Sequence, residues 1–243
     1  MSAKAPTARE LARESVRANI LRAARARLAD EGPAQLSLRA VARDVGMVSS
    51  AVYRYFPSRD DLLTALLVEA YDELGAAAEQ GDASHPREQV GARWVAAGRA
   101  IRAWSLAHPS DFALLFGSPV PGYSAPRDTV TPATRAILVL IGIVIDATGT
   151  SGWRSEAAVT PATAPAPVAS VVGDALDFLE ARGQKDAAPP EMVLRTLSAW
   201  TTVFGTVSFE LFGHYTYSVS DLAGYFDQVL ARLADELGFD AQF

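Results

Sequence analysis

SLRAVARDVGMVSSAVYRYFPSRDDL, residues 37–62, decides the fold. The stretch reads as two short helices joined by a glycine turn. Val41, Ala42 and Val45 give the first helix, predicted over 38–45, its apolar positions, and Val52 and Phe56 give the second, predicted over 49–56, its own. Ser37 is placed to cap the first. Gly46 stands at the corner, where a sharp turn needs a positive φ that glycine adopts without a Cβ clash. The outer face of the second helix carries Ser49, Ser50, Tyr53 and Arg54. Small residues at its N-terminus let the backbone approach the floor of a major groove, and a helix N-terminus favours phosphate. Tyr and Arg are long enough to reach DNA backbone or base edges. Pro57 stops the helix, and Ser58 with Asp61 three residues on has the spacing of a capping box for the next one.

Outward from this stretch, nearly every periodic segment reads as helix. Upstream, Val16, Ile20, Ala24 and Leu28 recur every four residues in a helix over 9–30 that Gly32-Pro33 ends. Downstream, helices are predicted over 59–79, from Pro86 to 107, and over 110–116, 132–148, 168–182, 190–215 and 220–237. Residues 117–123 have the composition of a turn-rich loop, and 157–169 are a low-complexity Ala/Thr/Pro stretch read as a loop. There is no strand pairing and no repeat. The expected fold is all-α: an N-terminal three-helix bundle with a helix-turn-helix at 10–62, and a larger helical domain at 63–243.

The chain has 243 residues, 49% of them hydrophobic, which excludes disorder over most of its length. It has no Cys, and therefore no disulfide framework, thiolate metal site or cysteine nucleophile. Charge is uneven. Residues 1–65 carry eleven Lys and Arg against seven Asp and Glu, or +4, whereas the remainder carries eleven against twenty-one, or −10. A basic head on an acidic body fits a polyanion partner for the head alone; an Arg-rich solvated helix fits the count equally. The longest apolar run, Ala136–Ile145, spans ten residues, half of what a membrane helix needs, and reads as a buried helix ending at Asp146. The first residues lack the apolar core of a secretory leader. The expectation is a soluble cytoplasmic protein. Glu210 and His214 are spaced i, i+4, but the ligand count falls short of a metal site. No nucleophile elbow, phosphate loop or dinucleotide glycine motif stands in its required context, so no enzyme and no cofactor are expected.

Gly46–Leu62 resembles the DNA-binding signature of the TetR family of bacterial transcriptional regulators. In that pattern a glycine turn leads to a short helix ending Tyr, any residue, His or Tyr, then Phe. A Pro or Lys, a Ser or Asn, and a Lys or Arg follow. Tyr53, Arg54, Tyr55, Phe56, Pro57, Ser58 and Arg59 fill those places, and Ser37, Val41, Ala42 and Gly46 fill those of the preceding helix. The family usually has Ser or Thr where this chain has Val48, so Ser49 is expected to take over the cap and shift the helix start by one.

The resemblance implies that Tyr53, Arg59 and Ser37 contact phosphate and that Ser49, Ser50, Arg54 and Tyr55 face the groove; Arg39 is grouped with them. Alternate helix positions do not share a face, so the other reading of Tyr53 and Tyr55 is that one of them packs inward. Phe56 is core. Arg9, Arg13 and Arg17 form one stripe, which reaches either flanking DNA or only solvent.

The resemblance also implies that the rest of the chain senses a ligand and dimerises through its last two helices. Leu197, Trp200, Phe204, Val207, Leu211 and Tyr215 form one apolar stripe, and Leu222, Phe226, Val229, Leu233 and Leu237 another. The interface candidates are Leu211, Tyr215, Leu222, Phe226, Val229 and Leu233; intramolecular core is the other reading. Ala199–Gly213 further resembles a C-terminal subtype with Trp200, Phe204, Gly205 and Glu210 in its marked places, and residues 108–123 are similar to the same group. Trp94, Trp104, Phe112, Phe116, Tyr123, Phe178, Trp200 and Phe204 are candidates for an apolar pocket. The expected function is a homodimeric repressor, bound to a palindromic double-stranded DNA operator and released by a small hydrophobic effector, with no membrane partner. The alternatives are a DNA-binding regulator without small-molecule control and an enzyme with an incidental basic head.

Overall fold

The computed structural model describes residues 7–154, 166–183 and 189–243. Residues 157–165 of the expected low-complexity loop lie outside them. The described residues hold twelve α-helices and no strand. In order they are α1 (Ala8–Glu31), α2 (Leu38–Asp44), α3 (Ser49–Val52), α4 (Arg59–Ala83), α5 (Val90–Ala107), α6 (Pro109–Phe116), α7 (Val130–Ala133), α8 (Arg135–Thr148), α9 (Val168–Val171), α10 (Gly173–Glu180), α11 (Pro190–Leu211) and α12 (Leu222–Glu236). No single helix among the described residues is long and apolar enough to cross a membrane.

The helices form two compact units, residues 1–72 with 108–133, and residues 73–107 with 134–243. This differs from the sequence boundary at residue 62. The division falls inside α4, and α6 with its following loop joins the first unit. The reason is packing. Leu114, Leu115, Val120 and Tyr123 pack on the cluster of Ile20, Leu28, Val41, Val52, Phe56 and Leu66. Tyr123 fixes the loop with a 2.9 Å hydroxyl–hydroxyl bond to Thr64. Arg25 of α1 pairs with the buried Asp111 of α6 at 3.1 Å.

The second unit is cored by Trp94, Ile101, Leu140, Ile143, Val203, Val207, Phe226 and Leu230. The Trp94 indole N–H donates to the Leu230 carbonyl at 3.0 Å, tying α5 to α12. A Cβ on Gly98 would lie 2.6 Å from Leu230 Cδ2, so a larger residue here would force the Leu230 side chain to shift. Asp146, the polar break in the apolar run, accepts from Arg93 at 2.9 Å and Arg87 at 2.5 Å.

Downstream of α4, three predicted helices end or break earlier than their apolar periodicity suggests. The segment over 132–148 is two helices, α7 and α8, split at Thr134 beside Pro132. The segment over 168–182 divides at Val172 (φ −105°, ψ 20°). The helix predicted to Tyr215 stops at Leu211, because Gly213 takes a φ of 75° and the Gly213 and His214 N–H groups close back onto Glu210 and Phe209.

Candidate nucleic-acid interface

The turn between α2 and α3 is built by hydrogen bonds that require Gly46. Its φ is +67°. Its N–H donates to the Arg43 carbonyl at 3.1 Å, and the Met47 N–H donates to the Ala42 carbonyl at 2.9 Å. These two bonds are the Schellman closure of a helix end. Ser37 is the N-cap residue of α2 in extended conformation, but its side chain makes no cap hydrogen bond.

An Arg–carboxylate clamp holds α2 against α1. Arg27 donates from Nε to one oxygen of Asp44 and from Nη2 to the other at 2.9 Å, while Nη1 reaches Glu31 at 2.8 Å. An acid at a helix C-terminus opposes the helix dipole, and the guanidinium offsets that. The Arg27 hydrogen bond holds the Asp44 carboxyl below the usual carboxylate range. The clamp therefore operates from neutral pH down to that lowered value and is lost only as pH falls through it. Nothing in the 17-residue separation of Arg27 and Asp44 announces this pair.

The start of α3 departs from the sequence reading. Val48, 70% exposed, is the N-cap, and its carbonyl already accepts from Ala51 at 2.9 Å. Ser49 is the first helical residue and makes no cap hydrogen bond, so the cap does not shift. The helix also ends early, at Val52. The N–H groups of Arg54 and Tyr55 reach back three residues, to Ala51 and Val52, in a tightened turn. The turn aims the side chains of 53–55 differently from a continued α-helix. Tyr53 is exposed, as are Arg39, Ser50 and Arg54. Tyr55 is half-buried, packed on the head's core with Arg13 above its ring at 6.0 Å. Of the two tyrosines, Tyr55 is the one that packs inward. Ser37 and Ser49 are half-buried.

Arg59, which the resemblance implies at phosphate, donates to the head's own backbone. Its Nε donates to the Leu36 carbonyl at 3.2 Å, and Nη2 donates to the carbonyls of Pro33 and Ala34 at 2.8 and 3.3 Å. It anchors the turn between α1 and α2. Arg59→Ala is expected to lower head stability by about 1–2 kcal/mol, a charged donor lost from three partly exposed carbonyls. Thermal melting checks it; an unchanged melt with weakened DNA binding would return Arg59 to the phosphate.

Residues 20–66 match the family profile described as bacterial regulatory proteins, tetR family, and residues 94–233 match the tetracyclin repressor-like C-terminal domain. The chain belongs to the TetR family. It is a DNA-binding transcriptional regulator of that family. It is 41% identical over 207 residues to the HTH-type transcriptional regulator Rv1816 of Mycobacterium tuberculosis, covering 84% of each chain. It is 44% identical over 77 residues to the HTH-type transcriptional repressor LfrR of Mycolicibacterium smegmatis, covering 32% of this chain and 40% of that protein. Among solved structures, the regulatory protein SCO4313 superposes with a TM-score of 0.71 at 33% identity, over 93% of this chain and 98% of that one.

In the C-terminal body of this TetR regulator, the aromatic pocket candidates do not converge. Trp94 and Phe112 are fully buried, in different units, and Trp104 and Phe204 are nearly so. Phe116 stacks edge-on with Tyr71, Tyr123 is bonded to Thr64, and Phe178 lies under Arg182 at 3.6 Å. Trp200 meets Phe204 edge-on at 6.0 Å. Trp94, Trp104, Phe112 and Phe204 are core, and Phe116, Tyr123, Phe178 and Trp200 are half-buried. Two interface candidates are core as well: Phe226 is 1% exposed and Leu233 6%, because both stripe positions face inward on α12. Leu211, Tyr215, Leu222 and Val229 stay half-buried. Glu210 is no metal ligand, since both its oxygens accept from Arg102, at 2.8 and 2.5 Å, and His214 lies beyond the helix against Phe209.

Proposed function

We propose that this TetR regulator is a repressor that binds a palindromic operator as a homodimer and leaves it when a small apolar molecule occupies the C-terminal body. The observation that carries the dimer is the outer face of α11. Ser198, Thr201, Thr202, Gly205 and Phe209 are all exposed there, as is Phe212 just past the helix end, and none is charged. The hydroxyls of Ser198, Thr201 and Thr202 each donate to a carbonyl four residues back, at 3.0, 2.9 and 2.9 Å. Their polarity is satisfied within the helix, and the face offers methyl groups and aromatic rings. Such a surface suits close docking of a second helix, and the second copy of α11 is the occupant proposed. Two heads then meet successive major grooves about 34–36 Å apart. Exposed Arg39, Ser50 and Tyr53 face the DNA, with Ser37 and Ser49 at the helix starts.

The effector is assigned to the seam between α8 and α11. Ile141, Val144, Ile145, Met192, Val193 and Thr196 line a cavity of about 10 Å³ there. The lining is apolar, because the Thr196 hydroxyl is bonded to the Met192 carbonyl at 2.8 Å. That volume is about one water, so a ligand enters only by parting the two helices. Binding to the parted form shifts the population away from the DNA-competent one. The same small volume favours a second reading, a regulator without small-molecule control.

The test is fluorescence anisotropy with palindromic duplexes from the gene's own upstream region. Two chains per duplex are expected, with at least about 1000-fold preference over a scrambled sequence, affinity that falls steeply with salt, and release by apolar compounds. Equal affinity for the scrambled duplex removes the operator reading. No thermal shift with any apolar compound selects the second reading.

A further inference from the structure

The outer turns of α1 and the turn after α3 enclose a cleft of about 440 Å³ lined by Arg9, Ala12, Arg13, Val16, Arg54 and Tyr55. Three of these six side chains are arginines and none is acidic. The two acids in the outer turns of α1 face other partners: Glu10 accepts from the Thr7 N–H and hydroxyl at 2.7 and 2.8 Å, and Glu14 lies 3.9 Å from Arg17. Arg17, next along the stripe, is drawn toward Glu69 at 3.9 Å and over the Phe56 ring at 5.4 Å. Among the described residues no ion pair holds Arg9, Arg13 or Arg54. Tyr55 fills the back of the cleft and braces Arg13 through its ring face.

We propose that this cleft holds a phosphodiester of the DNA strand flanking the base steps faced by α3, and that Arg54 grips backbone there rather than reading bases. The proposal rests on the DNA-binding reading of the head and deepens it. Guanidinium forks match phosphate oxygens bidentately, and three converging on a ring-backed concavity form a clamp for one phosphate. Arg54 lines the same concavity as the α1 side chains. It is therefore aimed at α1 and away from the outer face on which Ser50 and Tyr53 stand. The sequence alone puts Arg54 in a groove-facing place, because it treats 53–55 as continuous helix.

The test is anisotropy on the operator and on a scrambled duplex over a salt series, using the full chain and its Arg54→Ala, Arg13→Ala and Arg54→Lys variants. Thermal melts confirm that each variant is folded. Arg54→Ala and Arg13→Ala are each expected to weaken both duplexes by about tenfold, leaving their ratio unchanged. The slope of log K against log salt should shrink by about 0.9 per phosphate lost. Arg54→Lys, which keeps the charge, should regain most of that slope. A loss confined to the operator, or an unchanged slope, overturns the proposal and makes Arg54 a base reader. If the wild type shows no operator preference, the palindromic reading fails, while the scrambled-duplex series still decides the cleft.

Discussion

A Gly46→Val variant should bind operator DNA about 100-fold more weakly than the wild type while its C-terminal unit keeps its helix content. A Cβ at this position would have nothing within 4 Å, so no neighbour clashes with it. The cost lies in the backbone. At φ +67° a side chain crowds the following carbonyl, at about 1–2 kcal/mol for an ordinary L-residue and more for a β-branched one. The chain relieves that strain by opening the turn. Opening it breaks the Met47-to-Ala42 and Gly46-to-Arg43 bonds that set α3 against α2. In the proposed dimer the reading edge is then misplaced in both subunits, so the loss in binding exceeds the strain in either one. Gly46→Asn is the control, because asparagine tolerates the left-handed region, and it should retain most of the affinity. Anisotropy with circular dichroism measures both. Wild-type binding by the valine variant would mean that the turn does not position the interface.

The same glycine shows why this head was legible in sequence. A positive-φ corner, the apolar positions Val41, Ala42, Val52 and Phe56, and Pro57 are local constraints, and each acts within a few residues. The pairs that fix the assembly are not local. Arg27 meets Asp44, and Arg25 meets Asp111, across separations that follow no helical period. Apolar periodicity also overran the true ends of helices. It reports which side is buried, not whether the chain continues. Gly213 carried the stop signal for α11, yet the stripe through Leu211 to Tyr215 keeps its spacing across it. The eight aromatics illustrate a further limit. Ring content predicts burial, and all eight rings are buried or half-buried, but convergence on one cavity depends on which unit each joins, and Phe112, Phe116 and Tyr123 join the head. Arg54 lines a cleft with Arg9 and Arg13, a placement that periodicity does not announce because the chain tightens after Val52.

If α11 pairs with its copy as proposed, Gly205→Arg should yield a monomer and lower operator affinity by about 1000-fold, while the isolated chain becomes no less stable. Gly205 is exposed on α11, and nothing lies within 4 Å of a Cβ built there. Within the monomer an arginine therefore meets no obstruction. Arginine is also a better helix former than glycine, by roughly 0.8–1 kcal/mol at an interior position. Against a second copy the outcome reverses. The face from Ser198 to Phe212 bears no charge, and a guanidinium in its middle must be desolvated opposite methyls and rings with nothing to pair with. Loss of the dimer uncouples the two heads, and each half-site is then bound at its own weak affinity rather than as an intramolecular second step. Analytical ultracentrifugation reads the mass, and anisotropy reads the operator. Phe209→Asp, at a residue 51% exposed at the far end of the same face, should behave alike. A Gly205→Arg protein that sediments as a dimer and binds as the wild type would move the interface off this face of α11. A monomer that still binds the palindrome at full strength would separate dimerisation from DNA recognition altogether.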